Sequence, residues 1–257
     1  MKVGFIGLGN MGSAIARAVA KCDGVSLLLS SHNPAKAGKL QEEIGGELLD
    51  NAAIAAQSDV VFLGVKPYQV ADSIKELGAS AENDSVWISM ATGVDLATLA
   101  ELLPGHDLVR MMPNTPVAIG QGMTSYSSQS QRGKEIFQTL MAHSGKVVEI
   151  SEGLMDAATA VAGCGPAFVY QFIEALGDAG VQNGLSRAQA IEMAAQTVLG
   201  SAQMVLESGQ HPAQLRDAVT SPGGSTIAGV VELEKNGFRY AAISAVNAAL
   251  KRNQELG

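Results

Sequence analysis

The sequence predicts an α/β domain with an open parallel sheet, followed by an all-helical half. Three observations carry that reading. Short apolar runs alternate with helix-spaced stretches up to residue 150, and strand signals vanish after residue 153. Residues 220–226, Thr-Ser-Pro-Gly-Gly-Ser-Thr, then interrupt the helix-prone half with a proline and two adjacent glycines.

Residues 2–7, Lys-Val-Gly-Phe-Ile-Gly, form the first apolar run, and Gly7-Leu8-Gly9-Asn10-Met11-Gly12 follows at once. Apolar residues recur at helical spacing over 11–22, and a second apolar run covers 25–30. Strand, glycine turn, helix and strand in this order form the context that a dinucleotide fingerprint requires. Gly7 permits the tight turn, Gly9 lets the backbone approach a pyrophosphate, and Gly12 lets the helix pack on the strand. An ordinary tight turn between strand and helix is the plainer alternative, and the framing favours a nucleotide site.

The end of the second strand bears on which nucleotide. A site for NAD usually carries an acid here for the ribose 2′-hydroxyl. This chain has Ser30-Ser31-His32-Asn33-Pro34-Ala35-Lys36, with no acid. Ser31, His32 and Asn33, with Lys36 nearby, suit a 2′-phosphate, so NADPH is the expected cofactor. No arginine is present, which keeps NADH as the alternative. A polar loop leading into a proline-started helix is the competing explanation.

Residues 58–65, 86–90 and 108–112 read as further buried strands. They end in Lys66-Pro67, Ala91-Thr92-Gly93-Val94 and Pro113-Asn114-Thr115-Pro116. Ligands of an open parallel sheet bind beyond the carboxyl ends of its strands, so these turns should line the cofactor cleft. Lys66 is placed either on a phosphate or ribose or in solvent. A β segment at 147–150 completes the domain.

Residues 154–180 are mostly Ala, Val, Phe and Leu, read as a long, deeply buried helix interrupted or kinked near Gly163-Cys164-Gly165-Pro166. A helix apolar on most sides must be buried by something large, so a partner subunit is expected. Helices over 186–208, with Ser186 as cap, 212–219, 228–235 and 238–254 follow. The last is amphipathic, with Ala242, Val246, Ala249 and Leu250 on its apolar side.

Composition excludes several classes. Charged residues are 16% and hydrophobic ones 47%, which suits a packed soluble protein. A formal net charge of −8 without a basic stripe argues against nucleic acid. Cys22 and Cys164 are the only cysteines, so no disulfide framework or metal cluster is implied, and a cytoplasmic location fits. Glycines and a single lysine make the N-terminus a poor secretory leader, and no apolar run is long enough for a membrane span.

An absence points to the chemistry. Residues 147–234 contain no lysine, and His211 is their only histidine. A hydroxyacid dehydrogenase needs a group to exchange the alcohol proton, usually His or Lys. A protonated imine does not, because its nitrogen already carries the proton and its carbon accepts hydride directly. Such a site has to bind an anion, position a ring and hold the nicotinamide close. The turn at 220–226 offers uncovered N–H groups and hydroxyls at the start of a helix, a cradle for a small carboxylate or phosphate. A helix–helix turn with a Ser or Thr cap is the alternative from this segment alone.

Five stretches together resemble the Δ1-pyrroline-5-carboxylate reductase family. They are residues 3–12, Gly64-Val65-Lys66-Pro67, Met112-Pro113-Asn114-Thr115-Pro116, Gly163-Cys164-Gly165-Pro166-Ala167, and residues 214–226, Gln-Leu-Arg-Asp-Ala-Val-Thr-Ser-Pro-Gly-Gly-Ser-Thr. The last is the specific one; the first is shared with many dehydrogenases. The resemblance implies a Rossmann-type dinucleotide-binding domain (1–151) followed by an all-α dimerisation domain (152–257). It implies reduction of pyrroline-5-carboxylate to L-proline by NAD(P)H, the last step of proline synthesis, and a homodimer through the C-terminal helices, with a decamer as further assembly. Carried over by residue, Ile6, Gly7, Leu8, Gly9, Asn10 and Met11 hold the pyrophosphate. Asn51, Gly64, Val65, Lys66, Pro67, Met90, Ala91 and Thr92 line the adenosine, ribose and nicotinamide. Ser221, Gly223, Gly224, Ser225 and Thr226 hold the substrate carboxylate, the Thr226 hydroxyl meets the ring nitrogen as the catalytic contact, and Glu152 approaches substrate or cofactor. Cys164 stands where relatives often have serine, which reads as packing. Two rivals remain at this stage: a β-hydroxyacid dehydrogenase of similar layout and a non-enzymatic NADPH-binding regulator.

Overall fold

The structure is a computed structural model and describes residues 1–81 and 83–256. Its strands and α-helices are β1 (Lys2–Ile6), α1 (Asn10–Val19), β2 (Ser26–Ser30), α2 (Pro34–Ile44), β3 (Glu47–Leu48), α3 (Asn51–Gln57), β4 (Val60–Leu63), α4 (Val70–Leu77), β5 (Val86–Ser89), α5 (Leu96–Leu102), β6 (Asp107–Met112), β7 (Gly122–Ser128), α6 (Gln131–Leu140), β8 (Gly145–Glu149), α7 (Met155–Ala158), α8 (Gly165–Gln182), α9 (Arg187–Ser208), α10 (Pro212–Ala218), α11 (Ser225–Lys235) and α12 (Phe238–Leu256). Contacts divide the chain into two units, Met1–Cys164 with Ala249–Gly257, and Gly165–Ala248.

In the first unit eight strands form one sheet in the order β3-β2-β1-β4-β5-β6-β7-β8. The first six follow the 3-2-1-4-5-6 order of doubly wound dinucleotide-binding sheets. Both faces are covered, which is why these strands read as continuous apolar runs. Val3, Phe5, Val60, Phe62, Val86 and Ile88 join one core with Ile15 and Val19 of α1. Ile6, Val61, Leu63 and Trp87 join the other with Ile54 of α3, Ile74 of α4 and Leu99 of α5. The rings of Phe5 and Phe62 stack at 4.8 Å on neighbouring strands. Gly4 lets α3 lie against β1, since a Cβ there would be 2.3 Å from Ile54 Cγ2.

The open sheet expected from the sequence is parallel from β3 to β6, and its last two strands add a reversal. β7 runs antiparallel to β6, and β8 runs parallel to β7. β7 escapes a search for apolar runs because its sequence is Gly-Met-Thr-Ser-Tyr-Ser-Ser, and it buries hydroxyls instead. Ser128 Oγ, for instance, donates to the Leu108 carbonyl at 2.6 Å. Short polar side chains start the covering helices. Asp50, Asp95 and Ser130 accept from Ala53 N, Thr98 N and Gly133 N at 2.7, 2.8 and 2.9 Å.

The expected long helix over 154–180 is three pieces. α7 is continued by a π turn, Thr159–Gly163, before α8 starts at Gly165. In the second unit α8 packs closely on α9: a Cβ on Gly177 would be 2.6 Å from Ile191 Cδ1. Ser186 caps α9 as expected, accepting from Gln189 N. Within the single chain Met155, Thr159 and Ala160 of this stretch are buried, whereas Gly177 is the one buried residue of α8 and Tyr170 is 60% exposed, which leaves the apolar surface for which a partner subunit is expected. The helix after the Ser-Pro-Gly-Gly turn begins at Ser225, three residues earlier than its apolar residues suggest.

Phe62→Ala removes a fully buried ring from between strands and a helix layer. It should lower the unfolding free energy by about 3–5 kcal/mol in urea titrations, the usual cost of a large cavity. A loss below about 1 kcal/mol would mean that the Phe5–Phe62 stack is not part of a close-packed core.

Candidate active site

At the carboxyl end of β1 the chain turns at Gly7, with φ of +96°. This conformation favours glycine, and the surroundings demand it as well. A Cβ on Gly7 would lie 2.7 Å from the Gly64 carbonyl carbon. A Cβ on Gly12 would lie 2.4 Å from the Gly7 oxygen, and one on Gly64 2.5 Å from the same atom. Gly9 is the reverse case: a Cβ there meets nothing within 4 Å. Gly9 is also the cap of α1 and makes no side-chain cap bond, so the positive end of α1 is left uncovered, as an anion site requires.

Two cavities flank this loop. The first, about 500 Å³, is lined by Ile6, Gly7, Ser30, Ser31, His32, Asn51 and Val65, among others. The second, about 480 Å³, is lined by Gly9, Asn10, Met11, Gly12, Gly64, Val65, Lys66, Pro67, Met90, Ala91, Thr92, Thr115 and Ala118. Together they can take the two halves of a dinucleotide, with the glycine loop between them. Two of the expected cofactor residues have other work for their side chains. Leu8 is buried in the core, so only its backbone is available. Asn33 caps α2, accepting from Lys36 N at 3.1 Å.

The first cavity also contains groups that the sequence reading passed over. Ser30 Oγ bonds to Asn51 Oδ1 at 2.6 Å, which fixes the Asn51 side chain. Asp50 lines the cavity too, but its Oδ1 is committed to the start of α3. Ser31 Oγ accepts from Asn33 N at 3.2 Å, and His32 is exposed at the rim. Lys66 lines the second cavity with no carboxylate partner among the described residues. Asn114 is buried and ties the loop that carries Thr115 to the π turn: Nδ2 donates to the Ala162 carbonyl at 3.0 Å, and Oδ1 accepts from Met123 N at 2.8 Å.

Glu152 occupies a charged corner of the first unit. Its Oε1 accepts from Leu96 N at 2.6 Å and from Arg110 Nη1 at 3.3 Å. Asp156 stands 3.9 Å from Arg110 Nη2. Asp95 caps α5 beside them; hydrogen bonds from Thr98, with Arg110 nearby, hold its carboxyl below the usual carboxylate range. Buried Arg110 in β6 was invisible to motif reading, because a lone arginine in an apolar strand matches no pattern.

In the second unit the Ser221-Pro222-Gly223-Gly224 turn is closed by Gly224 N donating to Ser221 O at 3.0 Å. Proline in second place and φ of +69° at Gly223 fit a type II turn. Gly224 is the cap of α11 and offers no side chain; a Cβ there would be 2.6 Å from Ser221 Oγ. The first-turn N–H groups at Ser225 and Thr226 are therefore free of side-chain caps. Ser221, Ser225 and Thr226 are exposed, and the Ser221 and Thr226 hydroxyls have no hydrogen-bond partner among the described residues. The alternative of a Ser or Thr cap is thus replaced by a glycine-capped helix start.

Among the described residues no His, Cys, Asp or Glu cluster could hold a metal, and no helix is long and apolar enough to cross a membrane. Comparison with known proteins is decisive about kinship. A pyrroline-5-carboxylate reductase of Synechocystis is 44% identical over 100% of this chain and 98% of its own length. This chain belongs to the pyrroline-5-carboxylate reductase family. The family domain described as pyrroline-5-carboxylate reductase dimerisation matches residues 152–256, and one described as NADP oxidoreductase, coenzyme F420-dependent, matches residues 2–93. The reductase of Escherichia coli is 39% identical over 99% of this chain and 98% of its own. Among solved structures, the Plasmodium falciparum reductase with NADP bound superposes with a TM-score of 0.88 at 35% identity, covering 100% of this chain and 98% of its own. That of Coxiella burnetii gives 0.91 at 34% identity, over 99% and 98%.

Gly12→Ala forces a methyl group against the Gly7 carbonyl. Overpacking of this kind costs about 1–3 kcal/mol, so NADPH should bind about tenfold more weakly by fluorescence titration. Unchanged binding would show that the loop does not have to keep this close approach to hold the nucleotide.

Proposed function

We propose that this chain reduces pyrroline-5-carboxylate to L-proline with NADPH. The observation that carries the reading is its kinship, over the whole length, with reductases of that name. The geometry agrees: a glycine loop with two flanking cavities in one unit, and a hydroxyl-bearing, glycine-capped helix start in the other. When bound, the reduced nicotinamide supplies a hydride to the imine carbon. The C=N electron pair then goes to nitrogen, and the protonated imine becomes the ring amine of proline. Ile6–Met11 hold the pyrophosphate, with Asn51 and Ser31 toward the adenosine end and Lys66, Pro67, Met90, Ala91 and Thr92 toward the nicotinamide. Ser221, Gly223, Gly224, Ser225 and Thr226 hold the substrate carboxylate through N–H and O–H donors, as a helix start favours. The Thr226 hydroxyl meets the ring nitrogen, and Glu152 sits beside the ring. No strong acid from the protein is needed, so catalysis rests on orientation.

Residues 1–151 serve as the nucleotide-binding part and 152–257 as the helical, dimerising part, acting in the cytoplasm. Apolar side chains left exposed on α8 and α9, Met193 and Leu199 among them, support a homodimer through these helices. The decamer belongs to the same reading. The family assignment sets aside the hydroxyacid dehydrogenase and the non-enzymatic regulator.

The deciding experiment is NADPH oxidation on adding pyrroline-5-carboxylate at neutral pH. Turnover is expected, and its absence with folded protein overturns the proposal. Thr226→Val should lower kcat/KM by about tenfold, the loss expected for one hydrogen bond to a charged group, with NADPH affinity intact. Equal loss of both would point to misfolding instead.

Cofactor preference rests on residues 30–36. Ser31→Asp should shift the ratio of kcat/KM values toward NADH by about tenfold, because a carboxylate repels the 2′-phosphate and accepts from a 2′-hydroxyl. An unmoved ratio would place the 2′ position elsewhere.

A further inference from the structure

We propose that Arg110 is a positioning residue for the reductase reaction: it fixes one oxygen of the Glu152 carboxylate so that the other is presented to the substrate. This rests on the reading of Glu152 as a substrate contact. Arg110 stands in β6 within the run Leu-Val-Arg-Met-Met, and its side chain is 7% exposed. Burying a guanidinium is costly unless partners repay it, so an arginine among apolar strand residues calls for a reason.

Its partners supply one. An arginine that only neutralises charge is best served by a bidentate fork on a single carboxylate. Arg110 does otherwise. Nη1 meets Glu152 at 3.3 Å, Nη2 lies 3.9 Å from Asp156, and Nε is buried with no partner among the described residues. The guanidinium gives up the better pairing and reaches sideways to one edge of Glu152. That edge, Oε1, is held a second time by Leu96 N at 2.6 Å. Oε2 has no protein partner among the described residues, and the Glu152 side chain remains 28% exposed. The carboxylate is fixed on one side and open on the other.

The two donors belong to segments whose neighbouring residues line the second cavity. Leu96 begins α5, whose lead-in turn carries Ala91 and Thr92. Arg110 belongs to the strand that runs into the Thr115 loop. Both segments wall the second cavity. A carboxylate held still at this corner complements a protonated imine, which is a cation, without taking part in proton exchange.

The test compares Arg110→Met, Arg110→Lys, Glu152→Gln and the double variant Arg110→Met/Glu152→Gln in the full-length protein, through separate KM values for pyrroline-5-carboxylate and NADPH and through NADPH Kd. Glu152→Gln and Arg110→Met should each raise the substrate KM about tenfold, as loss of a hydrogen bond to a charged group does, with NADPH KM and Kd unchanged. The double variant should be no worse than Glu152→Gln alone, because the two act through one contact. Arg110→Lys should recover part of the loss; it also carries the comparison if the methionine variant does not fold. Additive effects, or a parallel fall in NADPH affinity and melting temperature, overturn the proposal and leave Arg110 as a structural prop. An unchanged substrate KM in Glu152→Gln removes the Glu152 reading itself, and the proposal with it. Absence of turnover in the unaltered chain removes the reductase reading instead.

Discussion

The carbonyl oxygen of Gly7 is the point on which the nucleotide-binding unit turns. Three segments converge on it: the end of β1, the first turn of α1 through Gly12, and the end of β4 through Gly64. No side chain fits at the latter two positions, because each Cβ would come within 2.5 Å of that oxygen. Backbone must therefore meet backbone, and the order of β1 beside β4 follows. Gly9, two residues on, faces open space, so the segment that packs the strands also leaves bare backbone at the start of α1.

Burial on both faces of the sheet propagates this arrangement outward. β4 is apolar throughout and β5 is apolar up to Ser89, and their alternate side chains serve different helix layers. A strand pinned from two sides holds its carboxyl end in place, and the loops after β4, β5 and β6 inherit that position. Among the described residues Arg110 is the one charged residue that is buried, and its partners are Glu152 and Asp156, at the start of the helical half.

What was legible in the sequence follows from the same physics. Strands with two buried faces, β1, β4, β5 and β6, announce themselves as apolar runs, and the glycine spacing at 7–12 marks the turn between β1 and α1. β3 has two residues, too few to carry a pattern. β7 buries serine and threonine hydroxyls, which no hydropathy reading distinguishes from a loop. In the site, backbone positions were readable because glycine is required there for steric reasons. Side-chain roles were less so: that Asn33 Oδ1 caps a helix, and that Ser30 and Asn114 bond to partners distant in sequence, shows only in the folded chain.

The last turns of α12 have a topological consequence. Contacts assign Ala249–Gly257 to the same unit as Met1–Cys164, and Asn253, which is buried, donates to the Asp156 carbonyl. The chain therefore leaves the nucleotide-binding unit once and comes back, so residues 165–248 form an insertion rather than a tail. A single cut between the units would leave the halves joined through the other crossing. Deleting the C-terminal residues would strip a contact from the very segment that carries Glu152 and Asp156. Trimming the end of this chain is an operation on its middle.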